Sequence, residues 1–296
     1  VERRSGFLPP SIIDSTNLGS GVIAPYFWNI SKSRDLTITP KIYTTQNPLV
    51  LAEYRQAFKD ADLIVDAGLS GGYENTIHKN NSGSRDHFFS KFIKNFNFGD
   101  EISSQLEINL QNVSDKNYLK IYDINTTLID KDLSIVENSL SYNYVDEDSY
   151  FGFETISYED KDIHGNNRFE YLLPYLTFDT NLGYSEKYGN FDLNSKFRVK
   201  NYDVNKQTEF FVNDLNWKSL KHQNNLGIEN QFFGLLKTVN YNAKNTDKFK
   251  NDDINSEFSG AIGYLAKLPF FKTNKKENLY HLIKPKLLLR YAPGHM

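Results

Sequence analysis

The stretch that decides the fold is residues 3–43, RRSGFLPPSIIDSTNLGSGVIAPYFWNISKSRDLTITPKIY, which predicts three consecutive β-strands. Pro10 falls in the first predicted strand and Pro25 in the second. Because proline has no backbone N–H, it removes a ladder hydrogen bond and is expected on edge strands, at strand starts or at bulges. Two prolines in adjacent strands therefore predict a sheet edge that is built to be weak.

The composition of the 296-residue chain favours an all-β protein without a nucleic-acid partner. Aromatic residues make up 15% of the chain, and aromatic side chains are enriched in strands. Lys and Arg number 34 against 37 Asp and Glu, so the chain lacks the basic excess of a nucleic-acid surface. There is no cysteine, which excludes a disulfide framework and a thiolate metal site.

Alternation of apolar and polar residues with period 2 runs along most of the chain and predicts antiparallel strands. In residues 191–200 the apolar side chains share one face, and the polar ones, including Lys196, Arg198 and Lys200, share the other. In a soluble sandwich such a polar face is solvated, whereas in a membrane barrel it lines a wet lumen and the apolar face meets lipid. The three basic residues are therefore a candidate lumen-side row, with an ordinary solvated face as the alternative.

The alternation predicts about fifteen strands, most of them long enough to cross a bilayer at a tilt, which takes about 9–11 residues. Their approximate bounds are 5–15, 21–31, 35–44, 49–58, 61–70, 85–97, 101–113, 132–145, 150–159, 168–179, 191–203, 207–217, 221–233, 254–267 and 279–291. No run approaches 18 apolar residues, so no transmembrane helix is predicted.

Short turns and long polar loops largely alternate along this strand list. The long loops are 71–84, 114–131, 160–167 and 234–253, while 180–190 and 268–278 break the alternation. Short turns at one end of a sheet and long loops at the other are typical of bacterial outer-membrane barrels. We therefore predict an antiparallel, up-and-down transmembrane β-barrel, present in this chain as a partial barrel of roughly 14–15 strands.

Several short motifs in the first fifth of the chain occur in one order and at one characteristic spacing. They are RRSGFL (3–8), Pro10, PYFWNI (25–30), Asp35, LTITP (36–40) and AEYR (52–55). In this order and spacing the motifs resemble the start of the barrel domain of the LptD family, the outer-membrane translocon that assembles lipopolysaccharide at the surface of Gram-negative bacteria (also called Imp or OstA). Beyond residue 58 only the strand pattern supports the resemblance.

The resemblance implies a non-enzymatic transporter in the cell outer membrane, with no cofactor, no metal and no catalytic residue. In the family, the first and last barrel strands close a seam that opens sideways into the membrane, and prolines in the first two strands weaken it. The matching positions are Pro10 and Pro25, while Pro9 is an extra proline that we interpret as a local bulge. The remaining prolines, among them Pro40, are expected at strand ends or turns.

The resemblance also implies the partners and the extent of the domain. The expected partners are lipopolysaccharide, membrane lipid, an LptE-type lipoprotein that plugs the lumen, and a periplasmic lipopolysaccharide-bridge protein. The bridge protein would act through a jelly-roll domain that this chain lacks. Residues 1–296 are expected to form a single domain fragment, the N-terminal portion of the barrel, without the C-terminal strands.

No other motif predicts a chemical site. The six histidines have no second ligand at metal-binding spacing and are expected to be solvated in loops or in the lumen. They are His78, His87, His164, His222, His281 and His295.

Two other functions share parts of the pattern. A general outer-membrane porin predicts the same barrel with ion conductance and no dependence on lipopolysaccharide. A secreted glycan-binding β-sandwich predicts solubility without detergent and a core filled from two sheets.

Overall fold

The computed structural model describes residues 3–72, 83–99, 101–249, 253–274 and 279–293. It is almost entirely antiparallel β-sheet: 18 strands belong to one open sheet, and two more form a separate hairpin. The predicted all-β, barrel-like fold class is therefore confirmed. The strands are β1 Gly6–Phe7, β2 Ser11–Ser15, β3 Gly19–Ile23, β4 Tyr26–Ser31, β5 Arg34–Tyr43, β6 Leu49–Ala57, β7 Ala61–Ser70, β8 Arg85–Asn97, β9 Ser103–Val113, β10 Ile135–Val145, β11 Ser149–Asp160, β12 Phe169–Ser185, β13 Gly189–Tyr202, β14 Lys206–Lys218, β15 His222–Gln223, β16 Glu229–Lys244, β17 Asn255–Lys267, β18 Phe270–Asn274, β19 Leu279–Ile283 and β20 Lys286–Tyr291.

In the described part of the chain, helix is confined to two short pieces, α1 at Tyr118–Ile121 and a 3₁₀ turn at Asn166–Arg168. Neither of these described helices has the length and apolar character needed to cross a membrane.

The chain divides into two compact units, which share the long strands β11, β12 and β13. The first unit holds the residues up to Tyr144 together with Phe153–Pro174 and Lys200–Asn205. The second holds Val145–Gly152, Tyr175–Val199 and the residues from Lys206 onward.

In the first unit, β5 to β9 form a continuous meander in which each strand pairs with the next. On the other side of β5 lie two short strand pairs, β2 with β3 and β1 with β4. Both β3 and β4 pair with β5 in a single register, because Gly21 lies opposite Tyr43 and Tyr26 opposite Ile38. Among the described residues of this unit, the strand formed by β1 and β2 is thus paired along one edge.

In the second unit, β14, β16, β17 and β20 pair side by side in that order. The β14–β16 ladder runs from Gln207 to Lys218 without a break. The β18–β19 hairpin stands apart from these ladders.

The strand bounds depart from the prediction in several places. The predicted connection 180–190 is wrong, because β12 continues to Ser185 and β13 begins at Gly189. The predicted loop 234–253 is wrong in its first half, because β16 continues to Lys244. Gly234 and the polar residues after it look like a connection in the sequence, but they pair with both β14 and β17. The β18–β19 hairpin was not predicted, and the breaks in the first two strands raise the strand count.

Candidate functional site

The first two predicted strands are each interrupted at their proline. β1 ends at Phe7 and β2 begins at Ser11, so Pro10 lies immediately before β2. In the second strand, Pro25 lies in the gap between β3 and β4. The two gaps face each other across the same ladder.

One backbone hydrogen bond crosses this gap. The N–H of Leu8 donates to the carbonyl oxygen of Pro25 at 2.9 Å. A hydrogen-bonded residue pair in an antiparallel sheet normally exchanges two such bonds. Because Pro25 has no N–H, it cannot return the second bond to Leu8, and this pair is held by one bond.

The first strand also carries an extra residue at the gap. Between the pairs Phe7–Tyr26 and Ser11–Ile23, the first strand contributes residues 8–10, whereas the second contributes only two residues. An unpaired extra residue on one strand of an antiparallel pair defines a β-bulge, which bends the strand locally. This agrees with the interpretation of Pro9 as a bulge residue.

Pro40 extends the same pattern into the third strand, and its predicted place at a strand end or turn is wrong. It lies inside β5, opposite Val50 of β6. The N–H of Ala24 donates to the carbonyl oxygen of Pro40 at 3.2 Å, and Pro40 cannot return a bond. Pro25 and Pro40 therefore remove one bond each from adjacent ladders. The equal spacing of Pro10, Pro25 and Pro40 along the sequence is the signal that could have shown this.

A buried carboxylate, Asp35, holds the segment that precedes β1. Its side chain is only 6% exposed, and it accepts hydrogen bonds from Arg3 at 3.1 Å and from Arg55 Nε at 2.9 Å. The side-chain amide of Asn29 in β4 donates to the carbonyl oxygen of Arg3 at 2.8 Å, and its backbone N–H donates to Ser5 Oγ at 2.9 Å. Arg3, Asp35 and Arg55 belong to three separated motifs and meet at this one carboxylate. No local pattern in the sequence predicts this contact.

The long loop 114–131, here called the inward loop, folds over the face of the sheet that carries Tyr43, here called the inner face. Together they make the buried core of the first unit, which also includes Leu18 from the turn between β2 and β3. From the inward loop and the sheet, the core residues are Tyr118, Leu119, Tyr122, Ile124, Tyr43, Leu49, Phe89, Val113 and Val136. The tip of the β2–β3 hairpin is therefore held from inside.

Polar contacts fix the inward loop on the inner face. The ammonium group of Lys41 donates to the carbonyl oxygens of Tyr122 and Asp123 at 3.0 and 3.2 Å. The hydroxyl groups of Ser70 and Tyr122 lie 3.1 Å apart. A cation at the C-terminal carbonyls of a helical turn is electrostatically favourable, and here it joins the loop to β5.

His87 is buried under the inward loop, so the expectation that it is solvated is wrong. Its side chain is fully buried, with Nε2 at 3.1 Å from Asp66 Oδ1 and Nδ1 at 3.3 Å from the Tyr118 hydroxyl. The sequence gives no sign that the inward loop covers this part of β8. Among the other histidines, His164, His222 and His281 are exposed, and the remaining two lie outside the described residues.

The outward face of the same edge is apolar. Ile12, Val22 and Ile42 lie side by side on β2, β3 and β5, and all three are exposed. Phe7 is 79% exposed and meets the Tyr26 ring edge-on at 5.1 Å. An exposed apolar stripe at a sheet edge is a surface suited to a nonpolar environment.

The basic row lies at alternate positions of β13, as the alternation predicts. Lys196 and Arg198 are exposed, and the Arg198 guanidinium lies over the Phe210 ring at 5.5 Å. In the first unit, the Lys200 ammonium is 2.7 Å from a carboxylate oxygen of Glu170. Their role on a lumen face stays a prediction.

Within the ranges that the structure describes, no group of three or more His, Asp or Glu side chains is placed to hold a metal ion.

An open antiparallel sheet with an apolar outward edge, a loop-covered inner face and a proline-interrupted first strand pair defines a barrel-like β-protein. The profile of the LptD family, described as LPS transport system D, matches residues 85–295. The chain therefore belongs to the LptD family. The matched range begins beyond the motifs of residues 3–55 and covers the region where only the strand pattern had supported the resemblance.

Curated relatives carry the same family name. The LPS-assembly protein LptD of Nitrosococcus oceani is 45% identical over 53 residues, which are 18% of this chain and 7% of the relative. Those of Actinobacillus pleuropneumoniae serotype 7 and Pseudoalteromonas translucida are 29% and 30% identical over 121 and 125 residues. These two alignments cover 41% and 42% of this chain but only 15% and 16% of the relatives. The chain thus spans a small part of the length of the relatives it matches.

A bacterial polysaccharide outer membrane secretin is a solved structure that covers 95% of this chain, with 96% of its own length matched. With a TM-score of 0.31 and a sequence identity of 8%, this similarity is too weak to support any conclusion about the chain.

Proposed function

We propose that this chain is part of an outer-membrane translocon that inserts lipopolysaccharide into the outer leaflet, with a lateral gate at Pro10 and Pro25. Membership in the LptD family is the observation that carries the proposal. The interrupted first strand pair supports the position of the gate, because regular pairing stops at the proline gaps, which are crossed by the bond from the Leu8 N–H to the Pro25 carbonyl oxygen.

The chemistry of the substrate explains why such an edge is useful. Lipopolysaccharide joins a charged sugar head to several acyl chains. Moving the head through hydrocarbon would strip its hydration at a large cost, so it needs a wet path. An opening in the wall lets the acyl chains enter lipid while the head stays in that path.

Opening a sheet edge inside a membrane leaves backbone groups unpaired, at several kcal/mol for each group in hydrocarbon. A proline at the edge lowers this cost, because the donor is already missing. Pro25 removes the return bond to Leu8, and the bulge at residues 8–10 removes regular pairing around Pro10. The first strand, which forms one side of the seam, is therefore held to its neighbour by fewer backbone bonds at the proline gaps.

The remaining parts of the proposal follow the family. The chain acts without catalysis, as one portion of a larger barrel in the outer membrane of a Gram-negative cell. Membrane lipid covers the outward stripe around Ile12 and Ile42. The row of Lys196, Arg198 and Lys200 faces the phosphorylated sugar of lipopolysaccharide. An LptE-type lipoprotein plugs the lumen, and a periplasmic bridge protein supplies the substrate.

The test replaces both gate prolines with residues that can donate, Pro10→Val and Pro25→Val, in the full chain as the only copy in the cell. We expect less newly made lipopolysaccharide at the cell surface and higher sensitivity to large antibiotics, because the restored bonds stiffen the edge. The amount of protein in the outer membrane should stay unchanged.

The matched control is Pro269→Val, which changes a proline in the connection between β17 and β18. It should leave surface lipopolysaccharide at the wild-type level. Normal delivery in the double variant, or an equal defect in the control, would reject a gate at Pro10 and Pro25.

A further inference from the structure

We propose that Asp35 is the fixed anchor of the first strand, so that the sheet edge bends at the proline gaps and moves beyond them, in β2 and β3. Asp35 thus acts as a positioning residue for the gate, and the inference rests on the proposed function.

The contacts of Asp35 are concentrated on the segment before the gap. Its two carboxylate oxygens take separate partners, Arg3 on Oδ2 and Arg55 on Oδ1. Arg3 lies in the segment that leads into β1, whereas Arg55 belongs to β6, and both β4 and β5 lie between β1 and β6. One carboxylate therefore ties the start of the first strand to the regular meander.

The burial of Asp35 increases the free energy that is lost when its contacts with Arg3 and Arg55 are broken. An exposed ion pair contributes little, because water solvates both charges about as well. A buried carboxylate that loses its partners is left with an uncompensated charge, which is strongly unfavourable. Asp35 is almost fully buried, whereas both arginines are partly exposed. Breaking these contacts would therefore leave a buried carboxylate without its partners, while water could still solvate the arginines.

The gap follows the anchored segment directly. Residues 3–5 are held by Asp35 and Asn29, β1 occupies the next two positions, and the bulge begins at Leu8. Beyond the gap, the described pairing of β2 is with β3, and β3 pairs with β5 over three residue pairs. The part after the gap is therefore joined to the meander by a short ladder and by the contacts of Leu18.

An anchor before the gap has a clear use. A slip of one residue in a strand register turns every side chain to the opposite face. If the first strand were free at both ends, an opening edge could close again in a wrong register. With Asp35 holding its start, the strand returns to the same pairing after each opening.

The experiment uses the absence of cysteine in the chain. A reporter pair, Phe7→Cys with Tyr26→Cys, spans the ladder between β1 and β4, and a control pair, Ile12→Cys with Val22→Cys, spans β2 and β3. The backbone N–H of Leu8 donates to the carbonyl oxygen of Pro25, and the N–H of Thr44, directly after β5, donates to the carbonyl oxygen of Ser20 in β3. Hydrogen-bonded and non-hydrogen-bonded pairs alternate along an antiparallel ladder, so these two bonds fix the type of every neighbouring pair. Both cysteine pairs are therefore non-hydrogen-bonded pairs, in which side chains lie close together.

Each pair is oxidised in the full chain in the outer membrane, with and without Asp35→Asn. We expect the substitution to lower the cross-linking yield of the reporter pair several-fold and to leave the yield of the control pair unchanged. An unchanged reporter yield overturns the anchor. An equal fall in both pairs shows a general loss of structure and also overturns it.

A second readout connects the anchor to transport. Asp35→Asn should reduce delivery of lipopolysaccharide, and the oxidised reporter disulfide should restore it, since the disulfide replaces the lost anchor. The oxidised control disulfide should not restore delivery, and a reductant should abolish the rescue. Rescue by both disulfides, or by neither, rejects the positioning role.

The cross-linking yield does not depend on the transported substrate. If delivery of lipopolysaccharide responds to none of the variants, including the double proline variant, the proposed function fails while the anchor can still be confirmed. If delivery responds to the prolines but the reporter yield ignores Asp35, only the anchor fails.

Discussion

The first strand pair and the β14–β16–β17 ladders are built from similar residues but differ in continuity. β1 pairs with β4 only at Gly6 and Phe7 before the gap. In contrast, β16 pairs with β17 from Glu229 to Tyr241 and with β14 from Phe233 to Lys244. Both regions expose apolar side chains, for example Ile12 at one edge and Ile262 in the other region.

The difference between the two regions therefore lies in backbone donors and not in side-chain hydrophobicity. No proline occurs between Lys206 and Lys267, so every residue there can donate to a ladder. In the first strands, Pro25 and Pro40 lie where a return bond would form. A weak edge and a strong ladder can thus present similar apolar surfaces to their surroundings.

The largest expected effect comes from making the continuous region resemble the interrupted one. Val239 lies in β16, opposite Val212 on one side and Glu257 on the other. Val239→Pro removes a ladder bond on a central strand and places a ring against a neighbouring strand, so we expect it to lower the free energy of unfolding by about 3 kcal/mol. Urea unfolding of the full chain in detergent measures this change.

Val239→Ala is the matched control, because it loses the same side chain and keeps the N–H. It should cost clearly less than the proline variant. Equal stability of the two variants would mean that donors do not distinguish the regions.

A smaller effect is expected from the opposite change, which makes the interrupted region more continuous. Pro25→Val restores an N–H that can return the bond to Leu8. One net hydrogen bond is worth about 0.5–1.5 kcal/mol, so hydrogen exchange at the Leu8 amide should slow by roughly 2- to 10-fold. Pro269→Val should leave the Leu8 amide unchanged, and an equal exchange rate in the Pro25 variant would show that the bulge alone sets the weakness.

The parts of the fold that the sequence predicts well are those that depend on local alternation. β7 at Ala61–Ser70 and β8 at Arg85–Asn97 have the predicted bounds. Here the apolar period and the flanking turns agree, so each strand is defined within its own window. Local chemistry also predicts weak pairing at Pro10 and Pro25, since proline lacks a donor, but it does not predict that both strands break there.

The parts that escaped prediction depend on residues far apart in the sequence. The bonds of Asp35 to Arg3 and Arg55 join β5 and β6 to the segment before β1, and alternation alone cannot show which charges meet. The burial of His87 depends on a loop that alternation describes only as polar. The second half of β16 is a strand because two neighbours pair with it, and tertiary context of this kind overrides local propensity.

The smallest expected effect concerns the hold that the inward loop has on the β2–β3 hairpin. In this loop the Lys131 side chain hydrogen-bonds to Asp123, and this bond lowers the pKa of the Asp123 carboxyl below its usual range, against an opposing effect of burial. A carboxyl with a lowered folded-state pKa stabilises the fold above its unfolded pKa of about 3.9. That contribution is lost as the pH falls through the lower, folded-state pKa.

Hydrogen exchange at the Ile124 amide, which donates to the Leu119 carbonyl oxygen at 2.9 Å, reports on the loop. After correction for the intrinsic rate, protection should be constant from pH 8 to about pH 5 and fall below about pH 4. Because Asp123 is mostly exposed, the change should stay below roughly threefold. Asp123→Asn should remove the pH dependence, because its amide does not titrate. If the variant keeps the wild-type profile, another acid holds the loop, and the inner contact of the β2–β3 hairpin does not depend on this ion pair.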